Sequence, residues 1–109
     1  MNKLFVYGTL GPGRPNEHIL KKIGGAFQRA FVKGKLLDEG WGATMGYPGI
    51  QLDSSAAPVE GFLFISENLK SHWDFLDSFE GVAYQRVLTE VELSDSTITE
   101  AYIYVVMKK

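Results

Sequence analysis

The strand that closes the chain, read from Thr99 to Met107, constrains the fold more than any other segment. Ile98, Tyr102, Ile103, Tyr104, Val105 and Val106 are apolar or aromatic on both of its faces. Successive strand residues point to opposite sides, so a strand apolar on both sides must be covered on both. It is therefore read as an interior strand around which the rest is assembled. With 109 residues, 45% hydrophobic and 13% aromatic, the sequence has room for one domain, over residues 1–109, with one sizeable core.

Its neighbour in sequence is the strand Tyr84–Leu93, joined to it by the polar turn Ser94-Asp95-Ser96. There Val87, Val91 and Leu93 alternate with Arg86, Glu90 and Glu92, the pattern of a half-exposed strand. Leu4–Tyr7 is a short apolar run that stops at Gly8 and reads as a buried strand. Gly8, Gly11, Pro12, Gly13 and Pro15 make a loop, and Asn16 is a candidate N-cap for a short helix with Ile19, Leu20 and Ile23 on one side. Gly24-Gly25 ends that helix. Ala26–Leu37 reads as a strand with a bend at Gly34, and Val59–Ile65 as another. Residues 38–58 have loop composition around a brief strand at Ile50–Leu52, and a loop of this length is often functional. Ser66 is expected to cap a helix from Glu67 to Phe79 with Leu69, Trp73 and Leu76 on its apolar side. Five to six strands and two helices in mixed order make an α+β or mixed-sheet domain. Composition alone does not choose between an open sheet and a closed barrel.

The net charge of −2, with eleven scattered Lys and Arg, argues against nucleic acid. Only Lys33/Lys35 and Lys108/Lys109 come near to forming patches. The absence of cysteine removes disulfides, thiolate metal sites and cysteine nucleophiles. Leu4–Tyr7 is too short for a signal-peptide core or a membrane span, which makes a cytoplasmic protein the default expectation.

Glu80 is the most informative polar residue. At about 100° per residue, the eleven positions from Leu69 bring it back to nearly the same helix face. A carboxylate that enters an apolar stripe at a helix C-terminus is disfavoured by burial and by the helix dipole, and both raise its pKa. Such a group suits acid–base chemistry near neutral pH. The same position also admits a carboxylate past the last turn, facing water. In Tyr7-Gly8-Thr9-Leu10 a buried strand ends at a glycine, where backbone N–H groups can meet a carboxylate or an oxyanion. An ordinary strand-to-loop turn has the same sequence. The glycine spacing is neither a dinucleotide fingerprint nor a phosphate loop. Tyr84 and Arg86 share one face of the strand after Glu80 and are candidates to bind a substrate carboxylate or orient the acid. His18 and His72 lie on different segments, which gives a metal site no anchor, and no serine sits in a nucleophile elbow.

Three segments together resemble the γ-glutamylcyclotransferase-like (AIG2-like) family. They are Phe5-Val6-Tyr7-Gly8-Thr9-Leu10 with Gly13-x-Pro15-Asn16; Tyr47-Pro48-Gly49 with Val59-Glu60-Gly61; and Leu76-Asp77-x-Phe79-Glu80-Gly81-x-x-Tyr84-Gln85-Arg86. In spacing they are most similar to the γ-glutamylamine cyclotransferases. The resemblance runs from residue 4 to about 106, and it implies a small mixed β-barrel with short helices packed on it. It implies that Glu80 is the catalytic acid–base, and that Tyr7, Gly8, Thr9 and Leu10 hold a γ-glutamyl group largely through backbone atoms. Tyr84 matches a recurring tyrosine near the site. Phe62 stands where many members carry Glu, which puts substrate choice in question. The expected reaction converts the γ-glutamyl group of a small substrate to 5-oxoproline, with no metal or organic cofactor. The alternatives are a metabolite-binding module without turnover and a hydrolytic removal of the γ-glutamyl group. Neither leaving group nor oligomeric state is written in the sequence.

Overall fold

The computed structural model describes residues 2–8, 10–37 and 49–106. The described elements run β1 (Lys3–Val6), α1 (Glu17–Ile23), β2 (Ala26–Leu37), β3 (Gly49–Leu52), β4 (Pro58–Ile65), a 3-10 turn (Leu69–Ser71), α2 (Trp73–Glu80), β5 (Tyr84–Leu93) and β6 (Ile98–Val106). The strand order is β3-β2-β4-β1-β6-β5, and a second pairing of β2 with β5 closes five of the strands into a barrel. That closure is narrow, with only Ala30 opposite Leu93 and Phe31 opposite Glu92. β1 and β6 are parallel and the other pairs are antiparallel, so the fold is α+β with a mixed barrel.

β6 lies between β1 and β5, as its two apolar faces require. Its inward residues Ala101 and Ile103 join Phe5, Leu63, Ala30, Val32 and Val91 inside the barrel. Its outward Tyr104 joins Leu4, Val6, Phe64, Leu20 and Leu76 in a second layer, between the barrel wall and the helices. β1 alternates in the same way, with Phe5 inside and Leu4 and Val6 outside, all of them buried. Each such side chain contributes about 1.5–3 kcal/mol through the apolar area it removes from water. Val87, Val91 and Leu93 of β5 face the interior while Glu90 and Glu92 are exposed, as the alternation indicates.

At Gly34, β2 changes partner: Ala26–Lys33 pair with β4, and Gly34–Leu37 pair with β3. A Cβ at Gly34 would stand 2.8 Å from the carbonyl oxygen of Gln51, so only glycine lets β3 come this close. α1 ends at Gly24, whose φ of 88° lies in the left-handed region. Asn16 occupies the N-cap position of α1 without a side-chain cap, and the Gly13 N–H donates to Glu17 Oε2 at 2.9 Å.

The segment after β4 departs from the continuous helix expected over Glu67–Phe79. One 3-10 turn is followed by a break at His72 (φ −120°, ψ 2°), and α2 begins only at Trp73. The cause is competition for the capping groups. The Ser66 hydroxyl accepts the Asn68 N–H at 3.1 Å and donates to the carbonyl of Gly24, while the Asn68 amide donates to the carbonyl of Ile23 at 2.9 Å. Both side chains thus tie down the end of α1. Leu69, Trp73 and Leu76 still form one stripe on the outer core layer. No helix among the described residues is long and apolar enough to cross a membrane.

Candidate functional site

The parallel pairing of β1 with β6 decides what meets at one rim of the barrel. Leu4 and Phe5 pair with Tyr102 and Ile103, so both strands finish at the same end. β5 runs antiparallel to β6 and starts there, with Tyr84 opposite Val106. α2 ends at Glu80, four residues before Tyr84, and is delivered to the same rim. Tyr7, Glu80, Tyr84 and Tyr104 come together from three separate stretches of sequence.

Glu80 is the last residue of α2, one beyond the expected end. Gly81 stops the helix with φ 84°, and its N–H donates to the carbonyl of Asp77 at 3.0 Å. The carboxyl is half-buried rather than past the last turn in water, and burial pushes its pKa from 4.5 up to about 7. A carboxyl in that range is partly protonated at neutral pH and can both take up and give back a proton.

The Tyr7 hydroxyl donates to the carbonyl of Tyr104 at 2.7 Å and accepts the N–H of Ile50 at 3.0 Å. It is a clamp between β1, β6 and β3. Burial raises its pKa well above the tyrosine range, and the neighbouring charges of Tyr84 and Glu80 add to the rise. Leu10 is buried in the outer core layer, which leaves its backbone as the part able to face a ligand. The Gly11 N–H donates to the Gly8 carbonyl at 3.2 Å and the Arg14 N–H to the Gly11 carbonyl at 3.1 Å, a run of turns leading into α1. Thr9, Tyr47, Pro48, Met107, Lys108 and Lys109 lie outside the described residues.

Arg86 is bound to α2, the helix that ends in Glu80. Its Nε and Nη2 donate to Asp77 Oδ1 and Oδ2 at 3.0 and 3.3 Å. Its guanidinium stacks 4.6 Å from the Trp73 ring centre and 4.5 Å from that of Tyr102. Tyr104 donates its hydroxyl to Asp77 Oδ1 at 2.6 Å. Arg86 therefore fastens α2 to the barrel and reaches the site through the helix. Reading along the sequence missed Asp77 and Tyr104 as part of this support, although an acid three residues before Glu80 and a base six after it were the available signal.

His18 is exposed on α1, and His72 Nδ1 lies 2.8 Å from the Asn68 carbonyl oxygen, so neither imidazole is drawn to the rim. Among the described residues no group of three or more His, Cys, Asp or Glu could hold a metal ion. Two cavities flank the tyrosines. One of about 290 Å³ is lined by Asp77, Tyr84, Gln85, Arg86 and Tyr104. The other, of about 320 Å³, has Tyr7, Gly8, Arg14, Arg29, Glu60 and Phe62 in its walls. Phe62 sits opposite Val6 and meets Phe27 edge-on at 6.4 Å.

Comparison with known proteins agrees with this fold. A family model described as "Gamma-glutamyl cyclotransferase, AIG2-like" matches residues 4–109. The chain is 31% identical over 110 residues to the γ-L-glutamyl-butirosin B γ-glutamyl cyclotransferase of Niallia circulans, covering 95% of this chain and 67% of that one. The crystal structure of a mouse AIG2-like protein superposes with a TM-score of 0.74 at 24% identity, over 100% of this chain and 79% of the mouse chain. That of YkqA from Bacillus subtilis gives 0.73 at 29% identity, over 96% of this chain and 35% of YkqA.

Proposed function

The chain belongs to the γ-glutamyl cyclotransferase, AIG2-like family, and we propose that it converts the γ-glutamyl group of a small amide to 5-oxoproline, releasing an amine or an amino acid. The observation that carries this reading is the half-buried carboxyl of Glu80, with its pKa near 7, close enough to Tyr7 for its charge to act on the phenol.

In the proposed step the α-amino nitrogen of the glutamyl group attacks the carbonyl carbon of its own side-chain amide. A C–N bond forms to close the ring and the original amide C–N bond breaks. The attacking nitrogen must first lose a proton from its ammonium form, and Glu80 accepts it. The departing nitrogen needs a proton, and the same carboxyl returns it; the carboxylate so restored takes the second proton, which the attacking nitrogen sheds as the ring closes, and passes it to the released amine, which leaves as its ammonium form, so protons balance. Both reacting groups belong to one molecule, and the protein gains most by holding that molecule folded. Backbone N–H groups of Gly8 and Leu10 are the proposed donors to the substrate or to the oxyanion, a role in which one donor typically contributes about 3–4 kcal/mol.

The relative from Niallia circulans is named for γ-L-glutamyl-butirosin B. An identity of 31% does not transfer that leaving group, least of all with Phe62 in the cavity wall. The test is a mass-spectrometric screen of the purified protein against γ-glutamyl amino acids, γ-glutamyl amines and glutathione. Free 5-oxoproline is the expected product. Free glutamate would mean hydrolysis, and ligand stabilisation without any product would mean a binding module.

A further inference from the structure

We infer that the cavity between β2 and β5 binds an aliphatic α-amino acid, with its carboxylate on Lys33, its ammonium on Glu90 and its side chain on an apolar wall. The site is separate from the one at the rim. Glu90 stands six residues along β5 from Tyr84, about 20 Å at the usual rise of a strand.

The barrel seam makes the space. β2 and β5 pair only through Ala30 with Leu93 and Phe31 with Glu92. Continued by two residues, the same register would set Lys33 directly opposite Glu90. The ladder stops first because β2 turns away at Gly34. There the Lys33 carbonyl accepts the Asp53 N–H at 3.2 Å, and the Gly34 N–H donates to the carbonyl of Ala57 at 3.4 Å. Both bonds go to the link between β3 and β4. The gap left beside β5 is a cavity of about 400 Å³, within the range of small-molecule sites.

Charge gives the gap its chemistry. Lys33 on one wall and Glu90 and Glu92 on the other form no ion pair among the described residues, whereas Arg29, Lys35 and Arg86 each hold a carboxylate. A cation and an anion held apart across a cavity match a molecule that carries both charges at one end. The ammonium makes the stronger contact, with two carboxylates on its wall. Glu90 also faces Glu100 across the β5–β6 ladder, and like charges so opposed are destabilising until a cation joins them. Phe31, Val32, Leu52, Pro58 and Ile98 supply apolar surface for a branched side chain. An aliphatic α-amino acid has all three features, while a simple amine, a fatty acid or a sugar lacks at least one.

The test titrates the isotope-labelled protein with L-leucine and follows the backbone amides by NMR. Saturable shifts are expected at residues 31–33 and 89–92, and none at Tyr84 or Val106 on the rim. N-acetyl-L-leucine lacks the ammonium and should bind about tenfold more weakly. L-leucinamide lacks the carboxylate and glycine the side chain, and each should bind about threefold more weakly, the scale of one partly exposed contact. Lys33→Gln should abolish the preference for L-leucine over L-leucinamide and keep that over N-acetyl-L-leucine. Glu90→Gln should reduce the second preference and keep the first. Both side chains are exposed, so the variants are expected to fold. No saturable shift, shifts confined to the rim, or variants that weaken every probe equally would overturn the inference. Without amino acid, the stability changes of Lys33→Gln and Glu90→Gln should add in the double variant. A coupling between them would show the two side chains closing on each other across the gap, and would overturn it as well.

Discussion

Arg86 holds Asp77 with two nitrogens, at 3.0 and 3.3 Å, and Asp77 sits three residues before Glu80 on α2. The last turn of the helix, and the carboxyl it ends on, is therefore anchored by a side chain from β5. Tyr104 adds a second anchor from β6 through its 2.6 Å bond to Asp77 Oδ1.

Removing the first anchor should loosen the site without touching substrate. Arg86→Ala is expected to cost about 1–2 kcal/mol, since the pair is only partly shielded from water, and to lower kcat about tenfold with KM little changed. Arg86→Lys should not restore kcat, because an ammonium cannot supply the two-nitrogen grip or the stacking between Trp73 and Tyr102. Denaturant titration and steady-state kinetics check both parts. Unchanged kcat in Arg86→Ala would show that the helix end is held by other contacts.

Tyr7→Phe keeps the ring and deletes the hydroxyl that bridges Ile50 and Tyr104. Two backbone groups lose their partner, at an expected cost of about 2 kcal/mol. Hydrogen exchange at the Ile50 amide should accelerate more than at Leu63, which belongs to the barrel interior and has no bond to the phenol. Equal acceleration at both would mean that the clamp is not local to β3.

Glu80 makes stability depend on pH in a direction opposite to that of most carboxylates. Its folded-state pKa of about 7 stands above the ordinary 4.5, so between those values the folded protein binds more protons than the unfolded chain. The contribution is most favourable below pH 4.5, declines as pH rises, and is fully lost above about 7. The span amounts to about 3 kcal/mol at most. Glu80→Gln should accordingly raise the melting temperature at pH 8 by several degrees and leave it nearly unchanged at pH 4.5. A variant less stable than the wild type at pH 8 would show that the carboxylate is stabilised, not strained.

The rate should carry the same signature. Glu80 must be ionised in the free enzyme to accept the ammonium proton, so log kcat/KM is expected to climb with unit slope up to about pH 7 and then level off. The proton returned to the leaving group is the one just accepted, so no falling limb is required of Glu80. A limb centred near 4.5 would place the working carboxyl in water.

Much of the barrel is legible along the chain, because strand alternation is a local signal. The strands read as Leu4–Tyr7, Tyr84–Leu93 and the two-faced Thr99–Met107 announce themselves through which neighbours are apolar. The stripe of Leu69, Trp73 and Leu76 leading to Glu80 is equally local. What no stretch of sequence states is who pairs with whom. The parallel contact of β1 with β6 joins residues almost a hundred positions apart, yet it is what carries Tyr7 to Tyr84 and Glu80. The broken helix escaped for the same reason, since Ser66 and Asn68 are drawn to the end of α1, forty-odd positions away. Arg86 could be read either as a binder of substrate carboxylate or as an orienter of the acid, because its partners Asp77, Trp73 and Tyr102 belong to other elements.

The central claim is that Glu80 moves the proton in the cyclisation. The most direct measurement is 5-oxoproline release by wild type and Glu80→Gln at pH 7.5, on whichever γ-glutamyl substrate the screen identifies, with both proteins shown to be folded by thermal unfolding. Glu80→Gln has nearly the same shape and cannot take up the proton, so turnover should fall by about a thousandfold or more while substrate binding persists. A folded Glu80→Gln that forms 5-oxoproline at close to the wild-type rate would contradict the account.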